Sequence, residues 1–205
     1  MVISHEHSDH VQGLEVLARK TDVQVFATEL TASVLSWKRD APEIVPFEAG
    51  RGITIGDLEI GTFTVSHDAI DPVGFHVSHH GCKLSIVTDL GFMTDSVRYH
   101  LENTDLMVLE SNHDLDMLKS GPYPWAIKQR VMSRDGHLSN TAVAEYLSSG
   151  WDRRSRAIVL AHLSGNNNHP AIAEMDARGA LDSVGAHGTE LLIARQDAPT
   201  RVIEL

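Results

Sequence analysis

Apolar residues recur along the first part of the chain at two alternating periods. Within residues 10–20, apolar side chains recur at positions 11, 14, 17 and 18. This spacing is typical of a helix with one buried stripe. Residues 22–27 alternate between polar and apolar side chains, which is typical of a strand. A second helix is predicted after Thr28, whose hydroxyl suits the N-cap position. This alternation of strand and helix predicts an α/β protein.

The period changes to two between residues 44 and 65, where glycines separate the apolar runs. This pattern predicts antiparallel strands with tight turns, and residues 73–89 continue it as a hairpin turning at residues 79–81. Further apolar runs predict strands at residues 1–3, 105–110, 157–161, 189–194 and 201–205. Helical spacing predicts helices at residues 94–101, 114–133 with a break at Gly121, 139–148 and 170–181. A length of 205 residues then fits one α/β (α+β) domain over residues 1–205.

Three histidines and two carboxylates fall within seven residues, at positions 4–10 (SHEHSDH). Imidazole nitrogens and carboxylate oxygens are ligands that zinc, manganese and iron accept, so this segment predicts a metal site. In an extended segment, positions two apart point to the same side, so His5, His7 and Asp9 are expected to converge while His10 turns outward into the next element. The alternative is a polar loop that caps the following helix. A His-Glu-x-x-His zinc site is excluded because position 9 is aspartate.

Three further candidate ligands, His67, Asp89 and His162, each stand just past the end of a predicted strand. Strand ends are where ligands from different elements converge. We therefore expect two metal ions roughly 3.5 to 4 Å apart that share a hydroxide. The expected ligands are His5, His7 and His67 for one ion, Asp9, His10 and His162 for the other, and Asp89 as the bridge between them.

The overall composition narrows the class of protein. Hydrophobic residues at 42% and charged residues at 22% are typical of a globular protein, and the single cysteine excludes an internal disulfide. No apolar run reaches eighteen residues, so no membrane span is expected, and the cytoplasm is the expected location. A net charge of −11 argues against coating nucleic acid by bulk electrostatics, although local capture of one phosphate stays open. The basic residues Lys128, Arg130 and Arg134 are interpreted as solvated surface charge.

The order of the polar blocks resembles a known family. The sequence HEHSDH, then SHDA, TDLG, ESNHD, GHLSN and AHLS with NNHP, resembles the metallo-β-lactamase-fold superfamily, and closely the YycJ (WalJ) family of bacterial metallohydrolases, from residue 2 to about residue 175. The resemblance implies an αββα sandwich with a dinuclear site of the same seven ligands. It also implies phosphodiesterase chemistry, with DNA as the substrate of an exonuclease acting from the 5′ end. Members of the superfamily begin with several strands before the metal loop, so an N-terminally truncated sandwich is expected.

Within the family blocks, His113 and His137 are candidates for binding the scissile phosphate or donating a proton to the leaving oxygen. Structural hydrogen bonding of their loops is the competing interpretation. Zinc is the first choice of metal, with manganese and iron as alternatives that the same ligands accept. An ester, thioester or lactam hydrolase using the same site, or an inactive fragment, are the alternative functions. Oligomeric state is not predicted.

Overall fold

A computed structural model describes residues 1–37 and 42–205, and this part of the chain contains nine strands and eight helices. The strands are β1 (Val25–Thr28), β2 (Ile44–Phe47), β3 (Gly52–Ile55), β4 (Leu58–Thr64), β5 (Val73–His79), β6 (Cys82–Val87), β7 (Leu106–Glu110), β8 (Ala157–Ala161) and β9 (Glu190–Ile193). The helices are α1 (Ser8–Val11), α2 (Leu14–Thr21), α3 (Glu29–Val34), α4 (Asp95–Leu101), α5 (Leu115–Ser120), α6 (Trp125–Val131), α7 (Asn140–Ser149) and α8 (Pro170–Ser183).

Strands β3 to β9 form one sheet in sequence order, and β1 and β2 form a second sheet. In the large sheet β3 to β6 are antiparallel, whereas β6 to β9 run parallel to one another. Carboxyl ends of parallel strands meet at one edge of a sheet. The residues that follow β6, β7 and β8 are therefore brought to the same edge.

The hydrophobic core lies in three layers between helices and sheets. One face of the large sheet packs against α4, α7 and α8 through residues such as Val97, Leu147 and Leu181. The other face meets the small sheet at Phe26 and Phe47, together with other apolar side chains. Successive residues of a strand point to opposite faces, so Val25 and Ala27 of β1 pack instead against α2, with Leu14 and Ala18. The order helix, sheet, sheet, helix confirms the predicted αββα sandwich.

Most predicted elements are present, with shifted ends. The predicted helix at residues 10–20 is divided into α1 and α2, and the break at Gly121 separates α5 from α6. The predicted strand at residues 1–3 is a short parallel bridge in which the Ile3 amide donates to the Phe26 carbonyl at 2.8 Å. Within the described ranges, no helix has the length and apolar character needed to cross a membrane.

Three predictions from the pattern are wrong. Strand β2 is parallel to β1, because α3 carries the chain back across the small sheet before β2 begins. Residues 201–205 form no strand. Val202 is 82% exposed, and the side chain of Arg201 pairs with the side chain of Glu190 at the start of β9. Lys128 is buried rather than solvated, and its ammonium donates to the Lys119 carbonyl at 2.7 Å.

Candidate metal centre

The histidine-rich loop leaves the small sheet after Ile3 and turns into α1. His7 is the residue before this helix, so His5 and His7 lie on extended chain while Asp9 and His10 lie on the first helical turn. The ring of His5 is centred 4.7 Å from that of His7 and 4.1 Å from that of His10. The change from extended chain to helix thus places the His7 and His10 rings in contact with the ring of His5.

A first cluster of donor atoms consists of His5, His7 and His67, whose ligand atoms lie within 4.8 Å of one another. His67 follows β4 and its side chain is buried. Its Nδ1 lies 3.0 Å from the Gly136 carbonyl oxygen, which can only accept a hydrogen bond. The ring proton is therefore on Nδ1, and Nε2 faces the cluster with a free lone pair, 3.1 Å from His7 Nδ1.

A second cluster consists of Asp9, His10 and His162, whose ligand atoms also lie within 4.8 Å of one another. The Oδ2 atom of Asp9 lies 3.6 Å from His10 Nε2 and 3.4 Å from His162 Nε2. Asp9 and His10 belong to the same loop as His5 and His7, and the rings of His5 and His10 are in contact. The two clusters are therefore adjacent.

Asp89 lies between the two clusters. One carboxylate oxygen is 3.2 Å from His10 Nε2, and the other is 3.7 Å from His67 Nε2 and 3.6 Å from His162 Nε2. Burial opposes ionisation of this carboxyl, but the close contact with His10 Nε2, together with the charges of His162 and His10, holds its pKa well below its usual range. The carboxylate thus faces both clusters, with Oδ1 near His67 and His162 and Oδ2 near His10, as is expected of a bridging ligand.

The donor set fits metal ions, because its buried atoms have few hydrogen-bond partners in the described part of the chain. His5 Nε2 has none, and His10 Nε2 and Asp89 Oδ2 are near only each other, 3.2 Å apart, without forming a well-directed hydrogen bond. Unpartnered buried polar atoms are costly and rare in folded proteins. Burial, with the nearby charge of His10, lowers the pKa of His5 to about 3, so this ring is neutral at pH 7, as a ligand must be. The site therefore offers buried ligand atoms that a metal cation would bind.

Backbone conformation adds a second sign that this site is specialised. Asp89 and His162 both have positive φ, 59° and 57°, a region that residues other than glycine seldom adopt. Such strain persists where the surrounding structure requires it, and it is concentrated at functional sites. His162 follows β8 directly and Asp89 comes two residues after β6, so both left-handed residues lie at the same edge of the sheet.

No role is predicted for Glu110 from the sequence, yet its carboxylate holds two histidines of the site in place. Its side chain is fully buried at the end of β7. Oε1 accepts hydrogen bonds from Nδ1 of His137 and Nδ1 of His162, both at 2.8 Å, while Oε2 accepts from the backbone amides of Leu90 and Leu138. Both rings are thereby fixed with Nε2 directed away from Glu110. The sequence did contain a signal for Glu110, because this residue ends the strand that lies between the two strands leading to Asp89 and His162.

The structure brings His137 to the site and encloses His113. The His137 ring is centred 5.0 Å from that of His67 and 5.4 Å from that of His162, and the side chain stays 16% exposed. His113 is only 1% exposed, and burial lowers its pKa to about 4. Its backbone carbonyl accepts from the Asn140 amide at 2.9 Å. His113 is thus enclosed and not open to a substrate, and its ring Nδ1 has no hydrogen-bond partner among the described residues.

Asp68, adjacent to His67, forms the rim of the first cluster and also went unassigned. Its Oδ1 lies 3.6 Å from His67 Nε2 and 3.9 Å from His7 Nε2. Arg130 donates to both of its oxygens, and this pairing lowers the pKa of Asp68 despite partial burial. A guanidinium group therefore stands at the mouth of the site.

Comparison with known proteins identifies the family. Residues 1–162 match the family model described as "Beta-lactamase superfamily domain". Because this match spans more than half of the chain, the chain belongs to the beta-lactamase superfamily, and it is a metal-dependent hydrolase of the metallo-β-lactamase fold.

Individual relatives agree with this assignment. The chain is 37% identical to "Exodeoxyribonuclease YycJ" of Bacillus anthracis over 188 residues, which are 90% of this chain and 71% of that protein. It is 38% identical to "Exodeoxyribonuclease WalJ" of Streptococcus pneumoniae serotype 2 over 180 residues, 85% of this chain and 67% of that one. The fold is similar to that of the metallo-β-lactamase fold protein YhfI from Bacillus subtilis, with a TM-score of 0.68 at 18% identity, over 95% and 74% of the two chains. The resemblance found in the sequence blocks is confirmed.

Proposed function

We propose that this chain is a dinuclear phosphodiesterase that degrades DNA from the 5′ end. The observation that carries the proposal is the pair of adjacent donor clusters on either side of the Asp89 carboxylate, with buried donor atoms that lack partners. Two divalent ions close together are a recurrent arrangement in phosphatases and nucleases, where they bind both the attacking and the leaving oxygen. The similarity to two relatives named as exodeoxyribonucleases supports DNA as the substrate.

We assign the seven residues to two ions, one for each of the two clusters. One ion would be held by His5, His7 and His67, the other by Asp9, His10 and His162, with Asp89 shared. When bound, the ions would supply a water of lowered pKa between them, a bridging hydroxide at neutral pH, and positive charge for the phosphate oxygens. Zinc is the first choice, and manganese or iron suit the same nitrogen and oxygen donors.

The chain's own residues then provide the proton for the leaving oxygen. His137 is partly exposed beside the clusters, and its Nδ1–H donates to Glu110, so Nε2 is the atom left for substrate. Burial lowers the pKa of His137, but the hydrogen bond and charge of Glu110 outweigh burial and raise it above its ordinary value. A raised pKa favours the protonated ring, which is the form that a general acid requires.

The first test compares substrates. Purified protein, loaded with zinc or manganese, is given DNA labelled at the 5′ or the 3′ end, and separately bis(p-nitrophenyl) phosphate, nitrocefin and a glutathione thioester. We expect metal-dependent release of the 5′ label as mononucleotide at the earliest times and hydrolysis of the small phosphodiester. Hydrolysis of nitrocefin or the thioester without any phosphodiester cleavage would instead favour the lactam or thioester hydrolase. No hydrolysis of any substrate by metal-loaded protein would favour the inactive fragment.

A further inference from the structure

Positive charge is concentrated in one segment of this acidic chain. Residues 117–134 contain four basic residues and no aspartate or glutamate, although the whole chain has a net charge of −11. The same segment contains Tyr123 and Trp125. Interleaved basic and aromatic side chains are the usual composition of surfaces that bind single-stranded nucleic acid.

Helix α6 presents part of this composition to solvent. Its inner side is fixed by Lys128 and Val131, which are both buried. At about 3.6 residues per turn, the opposite side then consists of Trp125, Gln129, Ala126 and Arg130 in order around the helix. The indole of Trp125 is 61% exposed, which is unusual for so large an apolar side chain. Most of its surface is thus left uncovered by the described residues.

Both ends of the segment touch the loops that hold the metal ligands. At one end Arg130 donates to Asp68, beside His67. At the other end Asn166, four residues after His162, donates through its side-chain amide to the Tyr123 hydroxyl at 3.4 Å. Helix α6 therefore lies along the rim of the metal centre, from the side of the first cluster to the side of the second.

A second basic and aromatic pair extends this rim. The guanidinium carbon of Arg134 lies 4.1 Å from the ring centre of Phe92, which is three residues beyond Asp89. Arg130 uses Nε and Nη2 for Asp68, and among the described residues its Nη1 makes no hydrogen bond. Nη1 is thus open to a phosphate oxygen close to the first cluster.

We propose that the outer side of α6, with Arg134 and Phe92, is the surface that binds single-stranded DNA and leads it to the metal centre. Trp125 stacks on a base, and Arg130 binds a backbone phosphate near the cleaved bond. A single strand is specified because its bases are free to stack on an aromatic ring, whereas duplex bases are enclosed. The proposal rests on the proposed nuclease function for what the strand is delivered to, but strand binding itself is measurable without cleavage.

The test measures binding of a fluorescein-labelled phosphorothioate single strand, which resists hydrolysis, by anisotropy with the metal-loaded full chain. Trp125→Ala should weaken binding about ten-fold, because each stacked base contributes substantially to affinity, and Trp125→Phe should restore most of it. The matched control is Tyr99→Ala, another exposed aromatic residue at 69% exposure, on α4, and it should bind within two-fold of wild type. Melting temperatures of all variants check folding.

Arg130→Gln gives an independent measure. Removing one phosphate contact should reduce the slope of log affinity against log salt by about 0.7, while Trp125→Ala should leave the slope unchanged. Duplex DNA and single-stranded RNA of the same sequence are tested as competitors, and we expect the duplex to compete at least ten-fold less well. RNA that competes better than DNA would overturn DNA as the strand bound here.

The outcomes separate this proposal from the proposed function. If Trp125→Ala binds within two-fold of wild type, or if Tyr99→Ala loses as much affinity, the α6 surface is wrong even when wild type cleaves DNA. If the strand binds through Trp125 but wild type cleaves no phosphodiester, the surface stands and the nuclease function is wrong.

Discussion

His137 is held between a buried carboxylate and an open site, and it shares its contact with Glu110 with the proposed ligand His162. Its Nδ1 donates to Glu110 at 2.8 Å, and it lies at ring-contact distance from His67 and His162. The three-donor clusters assigned to the two ions are complete without it. At the residue scale, His137 is therefore expected to act on the reaction and not on metal retention.

The prediction for His137→Ala follows from this separation. Loss of a general acid costs about 10²- to 10⁴-fold in rate, so kcat on DNA should fall within this range while metal content stays at the wild-type value. The measurements are initial rates and elemental analysis of the same samples. An exposed histidine variant, His187→Ala, is the control and should retain full rate. A His137 variant that loses metal together with activity would show that His137 is a ligand.

His113 leads to a prediction about stability instead of rate. Burial lowers its pKa to about 4 from an ordinary 6.5, so the unfolded chain binds the extra proton between these pH values and the folded chain does not. Stability is complete above pH 6.5 and decreases as the pH falls toward 4, by up to about 3 kcal/mol from this group. Replacing the ring with an apolar side chain removes this dependence.

Urea unfolding at pH 7 and pH 4.5 tests this prediction. Wild type should lose more unfolding free energy than His113→Leu between the two pH values, and the difference should be about 2 kcal/mol or more. His187→Leu, at an exposed position, should behave as wild type. Equal losses in wild type and His113→Leu would mean that His113 is protonated as easily in the folded protein as in the unfolded chain.

At the scale of elements, the ends of parallel strands position the site, and here the sequence was most informative. Apolar runs followed by Asp89 and His162 predict both the strands and the convergence of their ends, and the structure has both at one edge. Glu110 follows the same rule but was passed over because it is part of the strand, not the residue after it. Which strands are partners was less predictable, since the periods of β1 and β2 do not encode that α3 makes them parallel.

The loop after β6 carries an element-scale prediction. Gly91, two residues after Asp89, packs so tightly that an added Cβ would lie 2.1 Å from the Arg134 carbonyl oxygen. Its amide also donates to the Ser66 carbonyl at 2.8 Å, which joins this loop to the one that carries His67. A methyl group at this position must push the loop that carries Asp89 away from residues 133–134.

Gly91→Ala should therefore lower the unfolding free energy by about 1–3 kcal/mol and also reduce metal content, because Asp89 moves with its loop. Gly179→Ala is the matched control, since nothing lies within 4 Å of its added Cβ and α8 favours alanine over glycine. That control should be neutral or stabilising in urea unfolding. Unchanged stability and metal content in Gly91→Ala would mean that the contact between these loops does not position Asp89.

For the whole molecule, the sandwich was predictable from the family blocks, while its charge distribution became interpretable only in three dimensions. Lys128, Arg130 and Arg134 are neighbours in sequence, yet one is buried, one pairs with Asp68 and one stacks on Phe92. Helical period alone does not give these partners, because they come from distant parts of the chain. The same limit applies to residues 201–205, whose apolar pattern finds no sheet edge to join.

The central claim is that seven residues hold two divalent ions with Asp89 between them. It is tested most directly by elemental analysis of zinc- and manganese-loaded wild type and Asp89→Ala after removal of free metal, with Asp95→Ala as an aspartate control outside the site. We predict two ions per chain in wild type and in the control, and the loss of at least one ion, together with phosphodiesterase activity, in Asp89→Ala. Two ions retained in Asp89→Ala, or fewer than two in fully loaded wild type, would contradict the account.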